Sequence, residues 1–402
     1  MSALRPAARQ RLDVTGAAAA PGAMAGPGAG LAAGSEARPA AGSGAGPASG
    51  PGAAAGRRPA ASAMAPLALL LGLAGLLAAS VTAATAVGTV QLPYGVTARV
   101  IAAKALGLVG AVDPTYEAIV WSVRLPRVLA AGVVGLALAV SGAAMQGIFK
   151  NPLASPDIIG VSSGGAVGAV IGIFLGWPQV NPWLVPGAAF AGGLVALLLV
   201  YALATRAGRT DLATLLLAGV AVSSLAGALI ALLYHFVDDG VLRQIVYWLM
   251  GNLGGKTWEH LAVMTPMVAV GSFGLWVFSR DLNLLLGGED DARSLGVPVE
   301  RTKRWVMVLT ALATGAAVSV AGVIGFVGLI VPHIMRLLIG PDHRWLIPAS
   351  GLLGASFLIL ADLVARTAFS PVELRTGIVT ALCGVPFFLY LLAKRRDMVR
   401  WS

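Results

Sequence analysis

"WSVRLPRVLAAGVVGLALAVSGAAMQGIFKNPLASPDIIGVSSGG" runs from Trp121 to Gly165 and decides the fold. Residues 121–147 are apolar apart from a few small polar groups and two charges at the start, Arg124 and Arg127. A run of about 17–25 such residues matches the hydrocarbon thickness of a bilayer as a helix. Pro152 and Pro156 then break the chain, and a second apolar run opens at Gly160. Irregular backbone at membrane depth persists only where protein buries it or where it lines a watery path. Gln146, Asn151 and Pro152 are therefore expected to belong to an element that lines such a path, the alternative being a tight turn.

The pattern repeats outward from this stretch. Ten apolar segments fall near 66–90, 121–147, 160–177, 183–205, 212–234, 259–279, 305–324, 325–339, 345–366 and 376–393. The eighth is short and carries Gly325, Gly328 and Pro332, so a broken or tilted crossing is expected there. Segments 95–110 and 241–255 read as helices that do not cross, the second with Tyr247 and Trp248 suited to an interface. Composition agrees with a polytopic membrane protein. Of 402 residues 57% are hydrophobic and 11% charged, against about 25% charged in soluble domains. The 52 glycines suit helices that pack closely in lipid.

The net charge of +10 could suggest nucleic acid. Its distribution argues instead for cytoplasmic loops that carry the excess of Lys and Arg. With the N-terminus inside, Lys150, Arg206, Arg209, Arg336, Arg344 and Lys394–Arg396 all fall on the inner side. No nucleic-acid partner is expected, and the lipid membrane is. The lone Cys383 excludes an intrachain disulfide and a multi-cysteine metal site. Residues 1–63 are Ala/Gly/Pro/Ser repetition, expected to be a disordered cytoplasmic tail, with 64–402 as the transmembrane domain and Met64 as an alternative start.

Charge is concentrated in one place. Residues 280–304 hold 10 of the chain's 46 ionised side chains, including "GGEDDARSLG" (287–296). Asp290 and Asp291 are placed for the first turn of a helix that Gly296 ends. A solvated inner loop explains Arg301, Lys303 and Arg304 but leaves the acidic cluster without a reason. At the other side of the membrane, Arg124 and Arg127 share a helical face if Pro126 sits in the first turn. They read as headgroup-seeking arginines or as contacts for an acidic partner. Arg366 lies four residues after Asp362, the spacing of an intrahelical pair.

Other motifs exclude functions. "GNLGGKT" (251–257) resembles a nucleotide loop, but the first glycine of that pattern would stand at Met250. The four histidines are not paired at ligand spacing, and no nucleophile–base set appears. Neither catalysis, a metal nor a cofactor is expected. A proton-coupled secondary carrier would need ionisable groups at mid-membrane, and only Asp362 comes close. Residues 137–160 and 316–340 echo one another: small residues, a helix end, then a Pro-containing break. Five spans apart, they would be oppositely oriented, the signature of inverted repeats, with chance similarity in an Ala/Gly-rich chain as the competing reading.

Four stretches carry a resemblance: "RLPRVLAAGVVGLALAVSGAAMQGIFKNPLASPDIIGVSSGG", "LLLGGEDDARSLGV", "IGFVGLIVPHIMRLLIGPDHRWLIP" and "ELRTGIVTALCGVPFFLYLL". Together they resemble the FecCD-type permeases of ABC importers over roughly residues 65–396. The resemblance implies an all-α polytopic protein of about ten transmembrane helices with inverted repeats, the type II ABC importer permease fold. It implies a cell-membrane location with both termini inside. Implied partners are two ABC ATPase subunits, which bind the ATP, an external solute-binding protein, and a second permease, identical or paralogous. The implied cargo is a ferric siderophore, with haem or cobalamin as alternatives. Arg124, Arg127 and Arg366 match positions that dock the binding protein. Gly288, Glu289, Asp290, Asp291, Ala292, Leu295 and Gly296 match the ATPase-coupling segment, and Asn151 and Leu153 match an inner gate. One departure is "ELRTGI", where the family more often has Pro-Val at Arg375-Thr376.

Overall fold

The computed structural model describes residues 64–88, 92–107 and 113–399, so the expected disordered tail 1–63 lies outside the described residues. Seven helices among them are long and apolar enough to cross a membrane, and three shorter apolar helices bring the apolar segments to the expected ten. In chain order the helices are α1 (Met64–Ala86), α2 (Tyr94–Ala105), α3 (Pro114–Glu117), α4 (Leu125–Ile148), α5 (Val161–Phe174), α6 (Trp177–Val180), α7 (Leu184–Ala204) and α8 (Leu212–Tyr234). There follow α9 (Asp239–Leu249), α10 (Trp258–Val277), α11 (Ser279–Gly287), α12 (Glu289–Ser294), α13 (Val299–Ala321), α14 (Val327–Ile339), α15 (His343–Thr367) and α16 (Thr376–Val399). A two-residue antiparallel ladder, Thr205–Arg206 with Arg209–Thr210, joins α7 to α8.

The second span departs from expectation at its start. Pro126 is not in a first turn, because α3 and a π-helical turn, Ala118–Arg124, run straight into α4. The π turn fits the proline physically. Proline has no N–H to donate, and here Leu125 N–H bonds the Val120 carbonyl, one residue further back than in an α-helix. Trp121 C=O is thereby released, and the Trp258 indole N–H donates to it at 2.9 Å. The seventh span also starts earlier, at Val299 rather than 305, so the expected charged loop is mostly helix: α11, α12 and the first turns of α13.

Burial sorts the spans. The richest apolar windows of α4 and α13 are 78% and 72% buried, while those of α1 and α8 are 17% and 22% buried, so the first pair forms the middle and the second pair the rim. Small residues let the middle close. A Cβ on Gly135 would collide with the Gly354 carbonyl, which fixes the α4–α15 crossing, and one on Gly142 would collide with the Gly328 carbonyl at the start of α14. Such backbone approach is the usual device for packing helices in lipid. The two segments that echo one another in sequence thus meet directly, and Gln146 Nε2 donates to Leu329 C=O at 3.0 Å across the contact.

Candidate functional site

The polar groups gather at the two ends of the bundle. At the end where α11–α13 lie, Gly288 (φ 148°) turns the chain into α12 and Gly296 (φ 84°) turns it out, conformations that glycine adopts without a Cβ clash. Glu289, Asp290 and Asp291 occupy the first turn of α12, where carboxylates meet the positive end of the helix dipole. Ala292 anchors the helix, fully buried with Leu285, Val297 and Val299. The opposite face, with Asp290, Asp291 and Leu295, is exposed. It offers a partner two carboxylates and one leucine.

One lysine ties this short helix to the bundle. Lys303 is 2% exposed. Its Nζ lies 2.7 Å from Glu289 Oε1 and 3.4 Å from Glu300 Oε1, and donates to the Thr210 carbonyl at 3.0 Å. Glu300 Oε2 in turn accepts from Thr210 N–H at 2.9 Å. Arg293 closes the outside, with Nη1 on Asp290 at 2.7 Å and Nη2 on Glu289 at 3.0 Å. Three segments are thereby joined: α12, the base of α13, and the ladder between α7 and α8. Sequence reading counted Lys303 and Glu300 only as loop charge. Their i, i+3 spacing on one helix was the available signal.

At the other end the three arginines expected to dock a binding protein come together, with intrachain partners. Arg124 Nη1 donates to the carbonyls of Thr85 at 3.0 Å and Ala86 at 2.7 Å, and Arg366 donates to that of Ala84. Both therefore cap the C-terminus of α1, a helix with no basic residue in its own last turn. Arg127 makes a bidentate pair with Asp362, Nε–Oδ2 at 2.9 Å and Nη2–Oδ1 at 3.1 Å, and its Nη1 reaches Glu373 at 2.9 Å. Asp362 is 1% exposed and Glu373 44%, so Glu373 is the face this cluster shows to solvent. Asp362 belongs chiefly to Arg127, since its contact with Arg366 is 3.9 Å. The departure noted at 375–376 has a place here: Thr376 Oγ1 donates to Asp362 at 3.0 Å, and the Arg375 guanidinium lies 4.2 Å from the centre of the Tyr247 ring.

The expected gate residues separate. Asn151 is exposed, and its Oδ1 accepts from Leu153 N–H at 3.0 Å, so Asn151-Pro152-Leu153 forms a side-chain-braced turn after α4. Gln146 is 0% exposed in a single chain. Its Nε2–Leu329 bond ties α4 to α14.

The profile of the FecCD transport family matches residues 76–394. The cobalamin import system permease protein BtuC of Halobacterium salinarum is 53% identical over 286 residues, 71% of this chain and 76% of that protein. The hemin transport system permease protein HmuU of Yersinia pestis is 44% identical over 284 residues, 69% of this chain and 84% of that one. A solved ABC transporter in an inward-facing conformation superposes with a TM-score of 0.72 at 36% identity, covering 82% of this chain and 99% of that one. Fold and site define a multi-pass permease of an ABC importer. The chain belongs to the FecCD transport family.

Proposed function

We propose that this chain is the membrane-spanning subunit of an ATP-driven importer of metal chelates, paired with a second permease. ATPase subunits hold the α12 end and an external binding protein delivers cargo at the Arg127 end. The observation that carries this is the exposed acidic face of α12 on a helix anchored by buried Lys303. A soluble engine needs an aqueous grip on an apolar bundle, and it needs that grip tied to the spans it moves. The termini and the α12 end are assigned to the cytoplasm by the excess of basic residues there.

For cargo, the family resemblance alone favoured a ferric siderophore. A second reading, cobalamin, is favoured by the 53% identity to the archaeal cobalamin permease, and hemin shares the same chelate chemistry. Uptake of radiolabelled cobalamin, hemin and ferric siderophore by cells with and without this chain separates them. Accumulation of one that is lost on deletion, and lost again without ATP, assigns the cargo. Uptake abolished by an uncoupler while ATP is held constant would instead mark a proton-coupled carrier and sink the proposal. Asp362, the one acid suited to that role, sits in a bidentate pair with Arg127, which argues against it.

A further inference from the structure

The flank of the bundle carries an apolar groove of about 500 Å³ where α1, α4, α10 and α15 diverge. Leu70 and Leu136 line it, with Phe273 and Trp276 on one rim and Arg344 and Trp345 on the other. Its volume is in the range of a built small-molecule site, roughly 300–1,000 Å³. It runs along α15 from Trp345 to Leu352, roughly 10 Å at 1.5 Å per residue. The mouth is at the end of the bundle that holds α11 and α12, because α10 ends and α15 begins there. The Trp276 indole fixes this junction by donating to the Arg344 carbonyl at 3.1 Å.

Three features distinguish the mouth from ordinary lipid-facing surface. Phe273 and Trp276 are exposed although the groove behind them is apolar. Tryptophans at this depth mark the headgroup boundary. Arg344 is exposed, and its guanidinium has neither an ion pair nor a side-chain hydrogen bond among the described residues. Asp342, the nearest acid in sequence, is engaged by Asn283 Nδ2 at 2.6 Å and by the backbone N–H of Arg344 at 3.0 Å. An unneutralised cation over an apolar slot matches a molecule with an anionic head and a hydrocarbon tail. Basic pockets between spanning helices on the cytoplasmic side are suited to anionic lipid headgroups.

We propose that this groove is a binding site for one anionic phospholipid, with an acyl chain along Leu70 and Leu136 and the phosphate on Arg344. The occupant is a lipid and not a protein, because the slot is apolar, flanked by interfacial aromatics, and topped by a single cation. One basic residue near a membrane surface contributes a factor of about five in lipid affinity.

The test uses the full chain in its assembled transporter, stripped of lipid in detergent, with melting temperature followed during titration. Phosphatidylglycerol should raise it, whereas phosphatidylcholine of the same acyl chains and inorganic phosphate should do so far less. Arg344→Gln should raise the half-saturating phosphatidylglycerol concentration about fivefold, and Leu352→Trp, which fills the slot, should remove the lipid response while the protein still melts cooperatively. Equal responses of wild type and Arg344→Gln would overturn the proposal. So would a response to phosphate alone, or a disulfide between Leu352→Cys and any cysteine introduced in a second protein subunit.

Discussion

Lys303 Nζ and Glu289 Oε1 stand 2.7 Å apart, with the lysine side chain 3% and the glutamate side chain 29% exposed. This contact joins the helix that faces solvent to the base of a span that sits in the middle of the bundle. A lysine so buried is stable only while its partners satisfy it.

Replacing Lys303 with Met therefore leaves Glu289 and Glu300 facing an apolar side chain. We expect a loss of about 1–3 kcal/mol and at least a tenfold fall in ATP-driven uptake. Glu289→Gln should cost less, because Glu300 and the Thr210 carbonyl still hold the ammonium. A double-mutant cycle on melting and uptake checks this. If Lys303→Met melts and transports like wild type, the contact transmits nothing.

The Arg127 end calls for a different variant. Arg124→Glu would place a carboxylate against the carbonyls of Thr85 and Ala86, so lost uptake would report a damaged α1 terminus as readily as lost docking. Glu373 is the informative residue, being exposed and bound to Arg127. If Arg127 receives an acidic group from a binding protein, Glu373 competes with it. Glu373→Gln should then tighten binding-protein association several-fold at low salt, a gain that fades as salt screens it. Unchanged or weaker association, read by surface plasmon resonance at two ionic strengths, would remove Arg127 from docking.

Glycine tests the packing independently of charge. Gly142→Ala puts a methyl into the Gly328 carbonyl, and backbone cannot yield as a flexible side chain can. Overpacking of this kind costs about 1–3 kcal/mol, enough to lower expression and melting temperature. Gly72→Ala on the rim helix α1 meets nothing within 4 Å and should be neutral. Equal behaviour of the two variants, measured by melting in detergent, would mean that α4 and α14 do not approach as described.

Which features were legible in sequence follows from the forces involved. Span number and span type depend on the sum of local transfer energies, and Leu212–Tyr234 matches its expected bounds residue for residue. The glycine-bounded α12 is equally local, set by Gly288 and Gly296. What escaped was whatever depends on a distant partner. Nothing around Arg124 says that the end of α1 needs donors, and nothing around Pro126 says that Trp258 will serve the carbonyl released by the π turn. Nothing around Gln146 says that its Nε2 will donate to the carbonyl of Leu329, 183 residues away.

The sidedness of the whole arrangement has its own test in Lys256, on the loop before α10. Burial lowers its pKa from the ordinary 10.5 to about 8. The folded protein thus binds fewer protons than the unfolded chain between pH 8 and 10.5, so Lys256 adds stability as pH rises through that window and opposes folding below it. At pH 8 about half of its amine is the neutral nucleophile, against well under 1% for an ordinary lysine. A membrane-impermeant acylating reagent applied to sealed cells should therefore modify Lys256 with a midpoint near pH 8. Lys150, exposed just after α4 at the opposite end, should remain unmodified until the membrane is opened. Labelling of Lys256 that begins only above pH 10 would show that the amine is solvated. Labelling that requires lysed cells would invert the topology and remove the binding protein from the Arg127 end.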